Sequence, residues 1–362
     1  MWIKKPFFMY ITGAILVLTV IFLLGKIDWF IWPFRKLVAT IFFPILISGL
    51  LYYILRPVIR WLGGYIPKTA SILVVFATLI GAGTGIFYYG GSLIAEQITQ
   101  ISDSFPDKME DLSSETKEMV DKNDFGFLSY EEIEQKVLSY SQSFFNTVGS
   151  DLTGIISAIT SIATVLVVVP FILFYFSKDD EKLRPKLLKW IPDEHKIEGN
   201  RILLDIDKTL STYIIGQFII AFADGVLMYI GYLIIGLDYA LVLALFAMFL
   251  TVVPFLGPLL GVIPAIFVGL MQDPFMVVKI LIVLAAVQQL EGNLITPQVM
   301  GKRLNIHPLT VILLLLVAGS LYGFIGILVA IPFYSVVKVI VRDFWKFYRL
   351  RHITGSIGKK NH

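Results

Sequence analysis

Long apolar runs alternate with short polar stretches along most of this chain, and the spacing of the two predicts its elements. Continuous apolar windows at residues 7–24, 30–54, 70–91, 152–176 and 212–235 reach the roughly 18 residues or more that a membrane-crossing helix needs. The C-terminal half is broken differently. Apolar pieces at 239–253, 259–271, 275–290, 307–319 and 324–337 are separated by Gly- and Pro-containing interruptions. Most of these pieces are about 12 to 15 residues, or roughly 18 to 22 Å of helix, against a hydrocarbon layer of about 30 Å. Short, Gly/Pro-interrupted segments of this kind mark discontinuous helices around a binding site. They predict a hairpin over 239–271 with its tip at Pro254, Phe255, Gly257 and Pro258, a crossing at 275–290, and an inverted hairpin over 307–337 with its tip at Gly319–Gly323. Five short tilted spans are the competing reading.

The pattern changes character at 92–150. This region carries twelve Asp/Glu against four Lys/Arg. Ile94, Ile98, Ile101, Phe105, Met109 and Leu112 recur at steps of three and four, which is an amphipathic helix. Asn123–Gly126 reads as a turn, and Ser129–Glu132 resembles a capping box opening a second helix. The expectation is a helical hairpin outside the membrane, more readily a solvated packing unit than a partner-binding one. Residues 178–211 begin with seven basic and six acidic side chains between 178 and 201 and read as an interfacial segment. The organisation is thus helices 1–3 within 1–91, the hairpin at 92–150, a fourth helix at 151–177, the interfacial segment at 178–211, a core at 212–341 and a basic tail at 342–362.

Composition narrows the class. The chain is 57% hydrophobic and 16% charged, with a mean hydropathy of +0.79, where a soluble domain is about a quarter charged. The fold class is all-α: a polytopic membrane protein with about six to eight hydrophobic segments, two re-entrant helical hairpins and one extracytoplasmic hairpin. The first apolar run is long for a signal sequence and lacks a small-residue cleavage site, so it reads as a retained helix. Lys and Arg gather at the N-terminus, at 56–68, at 178–201 and in the tail. This places both termini in the cytoplasm by the distribution of basic residues. With no cysteine, disulfides, thiolate metal sites and thiol catalysis are excluded. The small net charge of +3 implies no nucleic-acid partner. No P-loop, HExxH or nucleophile elbow is present, so the chain reads as no enzyme, with no cofactor and no metal.

Candidate chemistry lies where polar groups enter apolar surroundings. The stretch Gln288–Pro308, QQLEGNLITPQVMGKRLNIHP, holds Gln288, Gln289, Glu291, Asn293, Thr296 and Gln298 where a helix should end. An intramembrane carboxylate is costly and by default functional. Glu291 is therefore the first candidate for a proton or cation site, against a simple cap at the interface. Gln288 shares its face one turn earlier. Tyr213, Gln217 and Asp224 fall within about 40° on one helix face, a polar stripe suited to ion or proton handling or to a buried hydrogen bond. Gly257–Gly261 and Gly319–Gly323 read equally as hinges or as close helix contacts. His307 reads as structural.

Val253-Pro-Phe-Leu-Gly-Pro258, Gln289-x-Glu291-Gly-Asn-x-x-x-Pro297-x-Val299-x-Gly301, His307-Pro308 and Tyr213-x-x-Gly216-Gln217 together resemble the autoinducer-2 exporter family of bacterial membrane proteins. The likeness runs over nearly the whole chain. It implies a homo-oligomeric permease of the inner membrane that exports a small polar solute such as autoinducer-2, or that exchanges sodium or lithium for protons. A non-transporting scaffold acting through the outer hairpin is the alternative from another class.

Overall fold

Leu, Ile, Val, Phe and Ala fill the runs between breaks, and each run becomes a helix because hydrocarbon leaves backbone groups no partner but one another. The computed structural model describes residues 6–26, 28–120, 163–301 and 306–358. Among them there is no strand. The helices are α1 (Pro6–Lys26), α2 (Asp28–Leu62), α3 (Lys68–Val120), α4 (Ala163–Leu188), α5 (Lys196–Ile235), α6 (Ala240–Thr251), α7 (Leu256–Gly261), α8 (Ile263–Gln272), α9 (Pro274–Leu290), α10 (Thr296–Met300) and α11 (Pro308–Gly358). Among the described residues four stretches are long and apolar enough to cross a membrane: Thr40–Leu62, Lys68–Gln97, Asp193–Ile235 and Pro274–Met300. Shorter apolar helices occupy Tyr10–Val20, Ala240–Thr251, Leu256–Gln272 and Pro308–Gly323. The chain is an all-α polytopic membrane protein.

Several boundaries differ from those the pattern suggested. The apolar run at 70–91 and the amphipathic repeat after it form one continuous helix, α3, which runs through Gly90, Gly91 and Pro106 without ending. The second half of the expected outer hairpin lies outside the described residues. The charged stretch after 178 extends α4 to Leu188, and α5 opens at Lys196 and runs through 212 without a break. Charge alone does not end a helix; Pro192 and the turn at Asp193–His195 do.

Three groups of buried side chains hold these helices. Leu55 and Ile59 of α2 meet Ile72 and Val75 of α3 and Leu173 of α4. Met228 and Tyr232 of α5 pack with Leu243 and Ala244 of α6, Val262, Ala265 and Val268 around α8, and Ile280 and Val287 of α9. Tyr213 and Ile214 of α5 join Val253 and, on α11, Val311, Leu315, Ala330 and Ile331. The long α5 therefore touches both C-terminal groups. Large apolar side chains such as Val167, Phe222, Ile282 and Leu316 stay exposed on the outer surface, where lipid is as good a solvent as protein. Association then depends on close packing of small residues rather than on expulsion of water.

The packing of α7 on α6 is built on that principle. A Cβ on Gly257 would strike the Leu250 carbonyl and the Thr251 Cα, and one on Gly261 would stand 2.8 Å from the Ala247 Cα. Both glycines therefore serve as close contacts against the backbone of α6. Within α11, Gly323 takes φ 61° and ψ −148°. A Cβ on Gly326 would collide with the Ala318 carbonyl, and one on Gly319 would lie 3.2 Å from Ile327. The helix is thus interrupted at Gly323, a backbone conformation that a side chain would strain.

Candidate functional site: a buried polar cluster on the central helix

The polar stripe of α5 turns inward. Tyr213, Gln217 and Asp224 are all buried, Asp224 to 2% exposure. Gln217 Nε2 donates to the Thr251 carbonyl at 2.7 Å. The Thr251 hydroxyl reaches Asp224 Oδ2 at 3.0 Å and the Ala247 carbonyl at 2.9 Å. Asp224 Oδ1 and the Tyr232 hydroxyl are buried without a hydrogen-bond partner. Buried polar atoms are nearly always satisfied, so two orphans on one helix, beside a buried hydrogen-bond cluster, mark a place where a partner is missing.

Thr251 is the last residue of α6, and the break follows at once. The Leu256 N–H donates to the Pro254 carbonyl at 2.8 Å across Phe255, whose φ is 64° and ψ −50°. That is a γ-turn with positive φ, a rare and strained backbone form, and strain of this kind collects at sites that move or bind. Pro254 is half-buried, Phe255 is exposed, and Gly257, Pro258 and Gly261 are buried. Two hydrogen bonds from α5 thus end three residues before a strained turn.

Glu291 stands where α9 widens. Residues Glu291–Ile295 form one π-helical turn, and the Thr296 N–H donates to the Glu291 carbonyl five residues back. Pro297 explains it: with no N–H, it cannot bond the Asn293 carbonyl, and its ring would clash there. The stretch Gln288–Met300 therefore does not end the helix, as its polarity suggested, but continues α9 into α10. Such turns recur at functional sites. Gln288 Nε2 donates to Glu291 Oε2 at 3.0 Å, and Glu291 lies close enough to Asp224 for their charges to interact. Gln289, Asn293 and Gln298 are exposed and Thr296 is half-buried, so the structure does not gather these four around Glu291. Val299 and Met300 instead close on Gly216 of α5. A wholly apolar groove of about 390 Å³ runs beside Glu291, between Phe222 and Val226 of α5 and Leu290 and Leu294. His307 Nδ1 accepts from the Leu309 N–H at 3.3 Å, a structural role at the start of α11.

A second cluster joins the ends of α2–α5. Arg56 Nη1 contacts both Asp207 carboxylate oxygens, at 2.8 and 3.0 Å, and Tyr53 donates to the same carboxylate at 3.2 Å. Lys68 Nζ lies 2.5 Å from Asp180 and 3.0 Å from Glu181. Tyr52 donates to Asp180 at 3.2 Å. Burial pushes the Asp180 carboxyl up, but the Lys68 hydrogen bond and charge, with Tyr52 and Arg60, more than offset it and hold it below its ordinary value. Tyr52, Arg56, Arg60, Lys68, Asp180 and Glu181 edge a cavity of about 260 Å³. The opposite charges of 56–68 and 178–201 were visible in the sequence; their pairing was not. Thr251 and Tyr232 carried no sequence signal beyond their distance from charged neighbours. Among the described residues no three His, Asp or Glu side chains converge as a metal site.

The profile of the AI-2E family transporter covers residues 11–346. YueF of Bacillus subtilis (strain 168), named as a candidate transport protein, is 37% identical over 355 residues, 96% of each chain. YrrI of the same organism, likewise named, is 29% identical over 348 residues, 94% of this chain and 98% of YrrI. PerM of Escherichia coli (strain K12), named as a candidate permease, is 26% identical over 215 residues, 58% of this chain and 59% of PerM. A membrane-embedded polar cluster, helices broken beside it and a family match over nearly the whole length converge: the chain belongs to the AI-2E transporter family.

Proposed function

We propose that this membrane transporter is a secondary permease of the bacterial inner membrane that exports a small polar solute such as autoinducer-2. Both termini lie in the cytoplasm, and the chain works as a homo-oligomer. The observation that carries the reading is the Gln217–Thr251–Asp224 cluster set against the strained end of α6. It gives polar partners inside the bilayer and a backbone able to rearrange there. Glu291 and Gln288, hydrogen-bonded to each other on α9, are the next candidates to meet solute or ion, with Gln289, Asn293, Thr296 and Gln298 as further candidates along the same stretch. The absence of nucleotide-binding motifs favours a gradient as the energy source.

Sodium or lithium exchange for protons is the second reading, favoured by the proximity of two carboxylates, Asp224 and Glu291. Proteoliposomes holding the purified chain decide between them. Flux of labelled autoinducer-2 without cation movement supports export; sodium- or lithium-dependent proton movement supports exchange. Flux of none of these overturns transport of either kind. Glu291→Gln should abolish ion or proton coupling and leave folding unchanged, and Glu291→Asp should keep partial activity with a shifted pH optimum.

A further inference from the structure

The hydrogen bonds around Thr251 do not close with the groups as usually written. Its hydroxyl has one proton, yet Oγ1 stands 3.0 Å from Asp224 Oδ2 and 2.9 Å from the Ala247 carbonyl. An ionised Asp224 would compete with Ala247 for that proton and would leave Oδ1 charged, buried and unpartnered. A neutral Asp224 resolves the conflict. Its O–H donates to Thr251 Oγ1, the Thr251 O–H donates to Ala247, and only neutral oxygens remain in the low-dielectric interior, where an unpaired charge is most costly.

We propose that Asp224 is a proton-carrying group, and that Thr251 relays its protonation state to the strained turn at Phe255. When the proton leaves, the carboxylate takes the Thr251 proton as its hydrogen bond, and the Ala247 carbonyl loses the hydroxyl as a second donor. The last turn of α6 then changes its bonding. Gln217 grips the Thr251 carbonyl from the same helix at 2.7 Å, so the change is focused on the residues that follow, Val252 to Phe255. A hydrogen bond to a charged group and a single strained residue are of comparable size, enough for one to tip the other.

Among the described residues, the titratable groups around Asp224 are few. Tyr232 lies on its own helix, and Glu291 approaches from the π-helical turn. On the α6 side Asp224 meets Thr251, with Met248 packed close by at Gly225. Proton traffic through Asp224 serves the transport proposed above and rests on it for its use in the cell, while its test needs no flux.

The chain contains no cysteine, so single reporters can be placed freely. Leu259→Cys, on α7, reports the hairpin; Leu259 is 62% exposed. Phe275→Cys, where Phe275 is 67% exposed at the start of α9, controls for the pH dependence of the thiol itself. The full-length protein in nanodiscs is labelled with a maleimide between about pH 5 and 9, and the ratio of the two rates is recorded. The ratio should change by about fivefold or more, the low end of typical coupling between linked sites. Asp224→Asn should hold it flat at its low-pH value. Thr251→Val should flatten it as well, and Thr251→Ser, which restores the hydroxyl, should recover it. A pH-dependent ratio that survives Asp224→Asn, or that Glu291→Gln removes instead, overturns the proposal. So does a ratio that never changes with pH. Loss of transport with these profiles intact would overturn the function above and leave the proton site standing.

Discussion

Asp180→Asn removes one charge from the cluster that ties α2, α3 and α4 together and keeps the side-chain size. The Asp180 side chain is 10% exposed, and Lys68 Nζ contacts it at 2.5 Å. Tyr52 adds a hydrogen bond at 3.2 Å, which the Asn oxygen can retain. Arg60 reaches it only at 3.5 Å from a side chain that is 58% exposed, an arrangement worth about 0–1 kcal/mol. The loss is therefore one charge-assisted hydrogen bond, about 1.5–3 kcal/mol. Glu181, 3.0 Å from Lys68 but 82% exposed, offers a partial substitute and moves the expectation to about 1.5–2 kcal/mol. Unfolding followed by circular dichroism in mixed micelles measures it, and a double-mutant cycle with Lys68→Met isolates the coupling. The sign with pH is fixed too. The folded carboxyl lies below its ordinary value of 3.8, so the pair's contribution is fully present above that pH and is lost as pH falls through the folded value. The gap between the parent chain and Asp180→Asn should close in that acid window. A coupling below about 0.5 kcal/mol, the range of exposed pairs, or a gap that is constant down through the window, would refute this account of the cluster.

Gly257→Val places a branched side chain against the Leu250 carbonyl and Thr251 Cα; overpacking against backbone should cost about 1–3 kcal/mol or more in the same unfolding measurement. Gly225→Ala brings its Cβ to 2.5 Å from the Met248 Cβ, an atom that no rotamer moves, so α5 and α6 must part and it too should cost about 1–3 kcal/mol. Pro297→Ala restores an N–H toward Asn293 and should let the π turn relax to regular helix, rotating α10 against α9 by about 100°. Distances between spin labels at Ile282 and Gln298 should shift; unchanged distances would mean that packing against Gly216, not the proline, sets the turn. Arg56→Lys at the contact with Asp207 should lose the two-oxygen geometry seen at 2.8 and 3.0 Å and destabilise the α2–α5 contact by about 1 kcal/mol, read in the same assay.

The sequence by itself determined the class of this protein. Long apolar runs can satisfy their backbone in lipid as helices, and the breaks at Pro254–Pro258 and near Gly319–Gly323 are marked by Pro and Gly, which favour an interruption. The inward face of Tyr213, Gln217 and Asp224 was legible too, because helical spacing is a local property. Which groups those residues meet was not. Thr251 lies 27 residues from Asp224 and Asp207 lies 151 from Arg56, and only the packing of α5 against α6 and α2 brings them into reach. The polar run from Gln288 read as the end of a helix because polarity and Gly suggest one. A single missing N–H at Pro297 widens the helix without ending it, and contact of Val299 and Met300 with Gly216 holds the result against α5. Tertiary structure also decided that Asp224 keeps an unpartnered, buried oxygen: burial and hydrogen-bond closure depend on neighbours distant in the chain, which no local pattern encodes.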